Sequence, residues 1–158
     1  MAQLSTLGRL SMPRTFDQLL AELAALKPSD FDDEFAGLDR LRGLTDELMA
    51  QPQPERAIPA LFAVMERMPA TEMGTPGPLV HTLEQMRGHY EHELAQSVKR
   101  QPANLSVWMV NRILNGTRDS RQRQIYLDLL RISAEHPTAP DSVRHEAEHF
   151  IQHQNRAA

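Results

Sequence analysis

At 158 residues with 41% apolar side chains and no cysteine, the chain is long enough to bury roughly 70% of its unfolded surface in one core, and disulfides, thiolate nucleophiles and thiolate metal sites are all excluded. A net charge of −4 argues against nucleic acid as a partner. Nowhere do about 18 apolar residues run together, and MAQLSTLGRLSMPRTF has no continuous apolar core, so neither a membrane span nor a secretory leader is read and the expected compartment is the cytoplasm.

Apolar residues recur at spacings of three and four throughout, β-branched alternation is nearly absent, and prolines and glycines fall between the periodic segments, so only helices are predicted. Thr15-Phe16-Asp17-Gln18 has the form of a capping box, opening a helix through Leu19, Leu20, Leu23 and Leu26 that stops before Pro28. Ser29 to Asp32 repeats the device for a helix reaching about Ala50. Pro54 suits the first turn of a third helix, in which Pro59 marks a kink or a later start. MPATEMGTPGP is the clearest loop; in a chain otherwise read as a single domain over 1–158, it is the one boundary that would divide sub-bundles 13–68 and 76–154. Thr75-Pro76 then predicts one long helix with Leu79, Leu83, Met86, Tyr90, Leu94 and Val98 on one side. A helix from about Ala103 ends at Asn115-Gly116, another spans about 119–134, and Thr138 to Asp141 again reads as a capping box for the last. The expected fold is all-α: about seven helices in antiparallel hairpins, as an α-solenoid-like stack or an irregular bundle.

The last helix contains His145-Glu146-Ala147-Glu148-His149, which fits the H-E-x-x-H pattern of zinc peptidases. The rest of that apparatus is missing. Only nine residues follow His149, too few for a further ligand-bearing helix, and Gln152 and Asn155 stand where the alternative extension needs glycine and histidine. Val143, Ala147, Phe150 and Ile151 make the apolar stripe, which puts His145, His149 and His153 on the opposite, polar side. No metal site, no catalytic residue and no cofactor is therefore assigned, and an enzyme is not expected. His81, His89, His92 and His136 read as solvent-facing or singly hydrogen-bonded, although His89 and His92, at i and i+3, could join a site.

The helix around Leu105 to Asn115 is apolar on nearly every side, so it is expected at the centre, with Trp108 as a buried anchor. Asn111 and Arg112 within it are expected to bond neighbouring helix ends or a buried carboxylate, because unpaired they would cost several kcal/mol. Arg118, Arg121 and Arg123 surround a turn, without the interleaved aromatics of a single-strand binder. Charge is unevenly spread: residues 15–55 hold ten acids against three bases, and residues 100–131 hold six arginines against two aspartates. Asp32, Asp39 and Asp46, spaced by seven, follow one edge of the second helix, with Asp30 and Asp33 at its start and Arg42 placed to neutralise part of that edge. These five aspartates are the candidate partner-binding residues, facing either solvent or a basic protein.

The stretch from Gly77-Pro78-Leu79-Val80-His81-Thr82-Leu83-Glu84, through Tyr90 and Ser97-Val98-Lys99-Arg100-Gln101-Pro102, to Val107-Trp108-Met109-Val110-Asn111-Arg112-Ile113-Leu114-Asn115 resembles small all-helical immunity proteins of bacterial polymorphic toxin systems, contact-dependent or type VI secreted. The resemblance covers roughly residues 77–133 and carries no fixed contact residues. It implies an all-α fold and a non-catalytic inhibitor that binds a cognate toxin domain and occludes its active site. Acidic residues on such an inhibitor can stand in for phosphates and speed association with a basic toxin. The alternative reading is a helical-repeat adaptor or chaperone that binds another protein.

Overall fold

The structure, a computed structural model, describes residues 12–158; residues 1–11 of the N-terminal stretch read for a leader lie outside them. Among the described residues there are eight α-helices and no strand. The first, α1 (Phe16–Ala24), opens on the expected capping box: the Gln18 amide donates to Thr15 Oγ1 at 3.2 Å, and the Thr15 amide to Gln18 Oε1 at 2.9 Å. It buries Leu19 and Leu23.

The second helix begins later than its sequence signal. Ser29 to Asp32 does not open it; Pro28–Phe31 is a 3-10 turn, held by the Lys27 amide donating to Asp30 Oδ2 at 2.8 Å. Asp33 is the residue that caps α2 (Glu34–Met49), accepting from the Ala36 amide at 3.1 Å. The third element repeats the pattern. Pro54–Ala57 forms a 3-10 turn and α3 (Ile58–Arg67) follows, so Pro59 falls in the first α-helical turn, where its missing N–H has no intrahelical partner to lose.

The long helix expected after Pro76 is two helices, α4 (Gly77–Gln85) and α5 (Glu91–Arg100). The chain turns at Gly88, whose φ of 94° lies outside the helical region, and its amide donates to the Glu91 carboxylate at 2.9 and 3.0 Å. Leu79, Leu83, Met86, Tyr90, Leu94 and Val98 are all buried. Both helices face one core, so the apolar spacing runs on across a break that it cannot reveal. After α6 (Asn104–Gly116) and α7 (Ser120–Glu135), the last helix, α8 (Asp141–Ala157), is capped by Pro140 without a side-chain hydrogen bond. The Thr138 hydroxyl, expected as its cap, donates instead to Gln101 Oε1 at 2.9 Å.

Helices pack on their second neighbours in sequence as well as on their first. α1, α3, α5 and α7 form one row by successive contact, and α2 with α4, then α6 with α8, form another against it. Such stacking of successive antiparallel helix pairs makes an all-α bundle of two facing rows. The second row is interrupted where α4 and α6 stand apart. The loop after α3 lies there, and the two helices are joined by a long-side-chain ion pair, Arg112 Nε to Glu84 Oε1 at 2.7 Å. One apolar cluster, from Leu19 to Phe150, takes residues from all eight helices. No helix among the described residues is long and apolar enough to cross a membrane.

Candidate interaction surface

On α2 the buried residues are Gly37, Leu41, Leu44, Thr45 and Leu48. Opposite them, at i, i+4, i+7 and i+11, stand Phe35, Asp39, Arg42 and Asp46, all exposed. Phe35 is 84% exposed, an aromatic ring set among carboxylates, and the search for acidic spacing missed it. Its position on the polar face was readable from that same spacing. Asp39 and Asp46 lie on the expected edge; Asp32 is exposed too, but it precedes the helix and belongs to the turn. Asp30 and Asp33 are occupied locally. Each caps backbone, and Asp30 also pairs with Arg40 at 3.5 Å. Arg42 stands exposed between Asp39 and Asp46 on that face, and among the described residues it is in no ion pair within 4 Å of either.

The tryptophan on α6 is partly buried rather than a core anchor. Leu105, Val107, Met109, Val110 and Leu114 fill the core, and Trp108 lies on the remaining side in line with Asn104 and Arg112. The Arg112 guanidinium stands 5.1 Å from the indole, a cation–π distance. Its carboxylate partner Glu84 is itself partly exposed, where a buried one was expected. Asn111 is buried and its Oδ1 accepts from Gln154 Nε2 of α8 at 2.8 Å.

Trp108 also lines a cavity of about 270 Å³ between the loop after α3 and the start of α8, together with Thr71, Glu72, Asn104, Ser142 and Glu146. A second cavity of about 350 Å³, lined by Asp46, Arg42 and His81, shares the lining residue Thr75 with the first. Beyond Arg112, a third hollow is lined by Arg87, Tyr90 and Tyr126. Burial pushes both phenols up, Tyr90 to about 12.

On α8, Val143, Ala147 and Phe150 are buried and Ile151 partly so, while His145, His149 and His153 are exposed on the other side. Among the described residues no three His, Cys, Asp or Glu side chains gather as a metal site. The glutamate of the motif is the member placed in a cavity. Of the basic turn, Arg118 and Arg121 are exposed, but Arg123 closes the end of α6, donating to the carbonyls of Leu114 at 2.7 Å and Thr117 at 3.0 Å. His81, His89 and His92 are exposed, and His136 bonds the Lys99 carbonyl at 2.9 Å. No family model, curated protein or solved structure matches the chain.

Proposed function

We propose that this chain is a stoichiometric protein inhibitor, an immunity protein that binds a cognate toxin domain and occludes its active site. The observation that carries the reading is Phe35. A ring 84% exposed on a helix face that also bears Asp39 and Asp46 has the form of an interface anchor, a large apolar group that a partner buries inside a charged surround. The carboxylates beside it suit a basic protein surface, and the resemblance over residues 77–133 supplies the class of partner.

The test begins with the gene neighbourhood: a secreted protein with a variable C-terminal domain encoded beside this chain is expected, its absence counts against the immunity reading, and that domain is then paired with the chain. Co-expression restores growth to cells making that domain, and the purified proteins form a one-to-one complex. Phe35→Ala weakens the complex by at least about 2 kcal/mol, the size expected of an interface hot spot, while leaving helicity intact. A variant that binds and protects as well as the parent sinks the assignment of this face. A chain that neither binds nor protects sinks the immunity reading itself.

The row packing of α1, α3, α5 and α7 favours the second reading, a helical-repeat adaptor, since solenoid rows offer extended surfaces to other proteins. In that case the chain binds its partner without altering the partner's activity.

A further inference from the structure

We propose that the cavity beside Trp108 is a socket for a single arginine side chain presented by a protein partner. At about 270 Å³ it falls just below the range of sites for drug-sized ligands, and it fits one long side chain rather than a cofactor. Its walls are chemically one-sided. Glu72 and Glu146 contribute two carboxylates, Asn104, Ser142 and Thr71 contribute neutral polar groups, and no lysine, arginine or histidine lines it.

The two carboxylates are not equally engaged. Glu72 Oε1 accepts from the Thr75 hydroxyl at 3.1 Å. Glu146 is half-buried, yet among the described residues its carboxylate takes part in no hydrogen bond or ion pair. With no partner of its own in the protein, that carboxylate is free to accept hydrogen bonds from an incoming cation. A planar guanidinium suits the site better than an ammonium, because it can stack on an indole and bond a carboxylate in the same plane.

The indole already carries one guanidinium, that of Arg112 at 5.1 Å, and Glu84 at 2.7 Å balances it. Trp108 lines the cavity as well, beside the unpartnered Glu146 carboxylate. The motif that looked like a zinc site thus supplies one functional group, Glu146, while its histidines point elsewhere. Thr75 lines both this cavity and the one that holds Asp46, which places the socket beside the acidic side of α2 that a basic partner would meet. The inference deepens the protein-binding reading and rests on it.

Trp108 is the only tryptophan in the chain, so its fluorescence reports on the socket directly and no toxin is needed. Titrating the full chain with Nα-acetyl-arginine amide is expected to give a saturable change with half-saturation on the order of 1–10 mM, as befits one side chain without its surrounding interface. Nα-acetyl-citrulline amide, similar in shape but uncharged, binds at least about tenfold more weakly. Glu146→Gln weakens arginine-amide binding to the same degree without moving the melting temperature, and Glu72→Gln provides a second variant. Equal titration by arginine and citrulline amides overturns the socket, as does an unchanged half-saturation in both variants or no saturation at all. Binding of free arginine but not of the blocked amide reassigns the cavity to a small metabolite and overturns the protein partner. Because the probe is a blocked amino acid, a failed socket leaves the toxin complex to be judged separately, and a failed toxin complex leaves the socket standing.

Discussion

Gln154 is only 2% exposed although it sits near the C-terminal end of a largely polar helix. Its amide nitrogen donates to Asn111 Oδ1 and Asn115 Oδ1, both at 2.8 Å, and its oxygen accepts from Arg123 Nη2 at 3.0 Å. One side chain thus joins α6, α7 and α8. Gln154→Leu keeps the volume but leaves the buried Asn111 without its donor, and the expected loss is about 1–3 kcal/mol in urea unfolding. Adding Asn111→Leu removes the stranded acceptor and should restore part of that loss. A midpoint unmoved by the single change would falsify this polar tie. Asn111 was readable as a residue needing a partner because its helix is so apolar. Its partner was not, since Gln154 lies 43 positions away and glutamine near a C-terminus ordinarily faces water. Trp108 went the other way. Asn104, Trp108 and Arg112, four apart, mark the polar side of α6, and counting apolar residues all round the helix concealed it.

Two glycines in α2 carry opposite expectations for the same substitution. A Cβ on Gly37 would lie 2.6 Å from the Asp30 carbonyl oxygen and 3.1 Å from Phe31 Cα, backbone atoms that cannot turn aside, whereas a Cβ on Gly43 meets nothing within 4 Å. Gly43→Ala should therefore stabilise the protein by about 0.5–1 kcal/mol through helix propensity. Gly37→Ala should destabilise it by more than that gain, because the 3-10 turn must be pushed off the helix. Thermal melts of the two variants decide it, and equal shifts of the same sign would remove the close packing of the turn on α2. Such packing explains why element boundaries were the least legible part of the fold. Pro28 marked the end of α1 and Pro54 the first turn of the next element, but the four residues beginning at each proline form a 3-10 turn before the α-helix starts. Helix type and order were readable because 3.6-residue periodicity survives in every segment. The turn at Gly88 was not, because α4 and α5 keep one apolar stripe across it.

At the scale of the molecule, the row order rests on contacts such as α2 with α4 and α3 with α5, for which a chain without internal repeats offers no signal. Charge, by contrast, is set by the sequence directly. The acids crowd residues 15–55, and on α2 Asp39 and Asp46 stand on the face turned away from the core. If that face meets a basic toxin, association is steered by exposed charge, which is screened beyond about 10 Å at 0.1 M salt, so the on-rate should fall steeply as salt rises while dissociation changes little. Changing Asp32, Asp39 and Asp46 to lysine takes the net charge from −4 to +2, two units at each position. It should slow association and reduce protection of toxin-expressing cells without loss of helicity. Net charge alone could do this, so the control places the same three changes at exposed acids on α7 and α8, Glu135, Asp141 and Glu148. The control should keep most of the on-rate, because steering depends on where the field is focused. Equal slowing by both triple variants would reduce the acidic face to a contribution to net charge. Full protection by the α2 variant, with binding indifferent to salt, would remove that face from the interface and turn attention to the exposed Ile125 and Ile132 on α7.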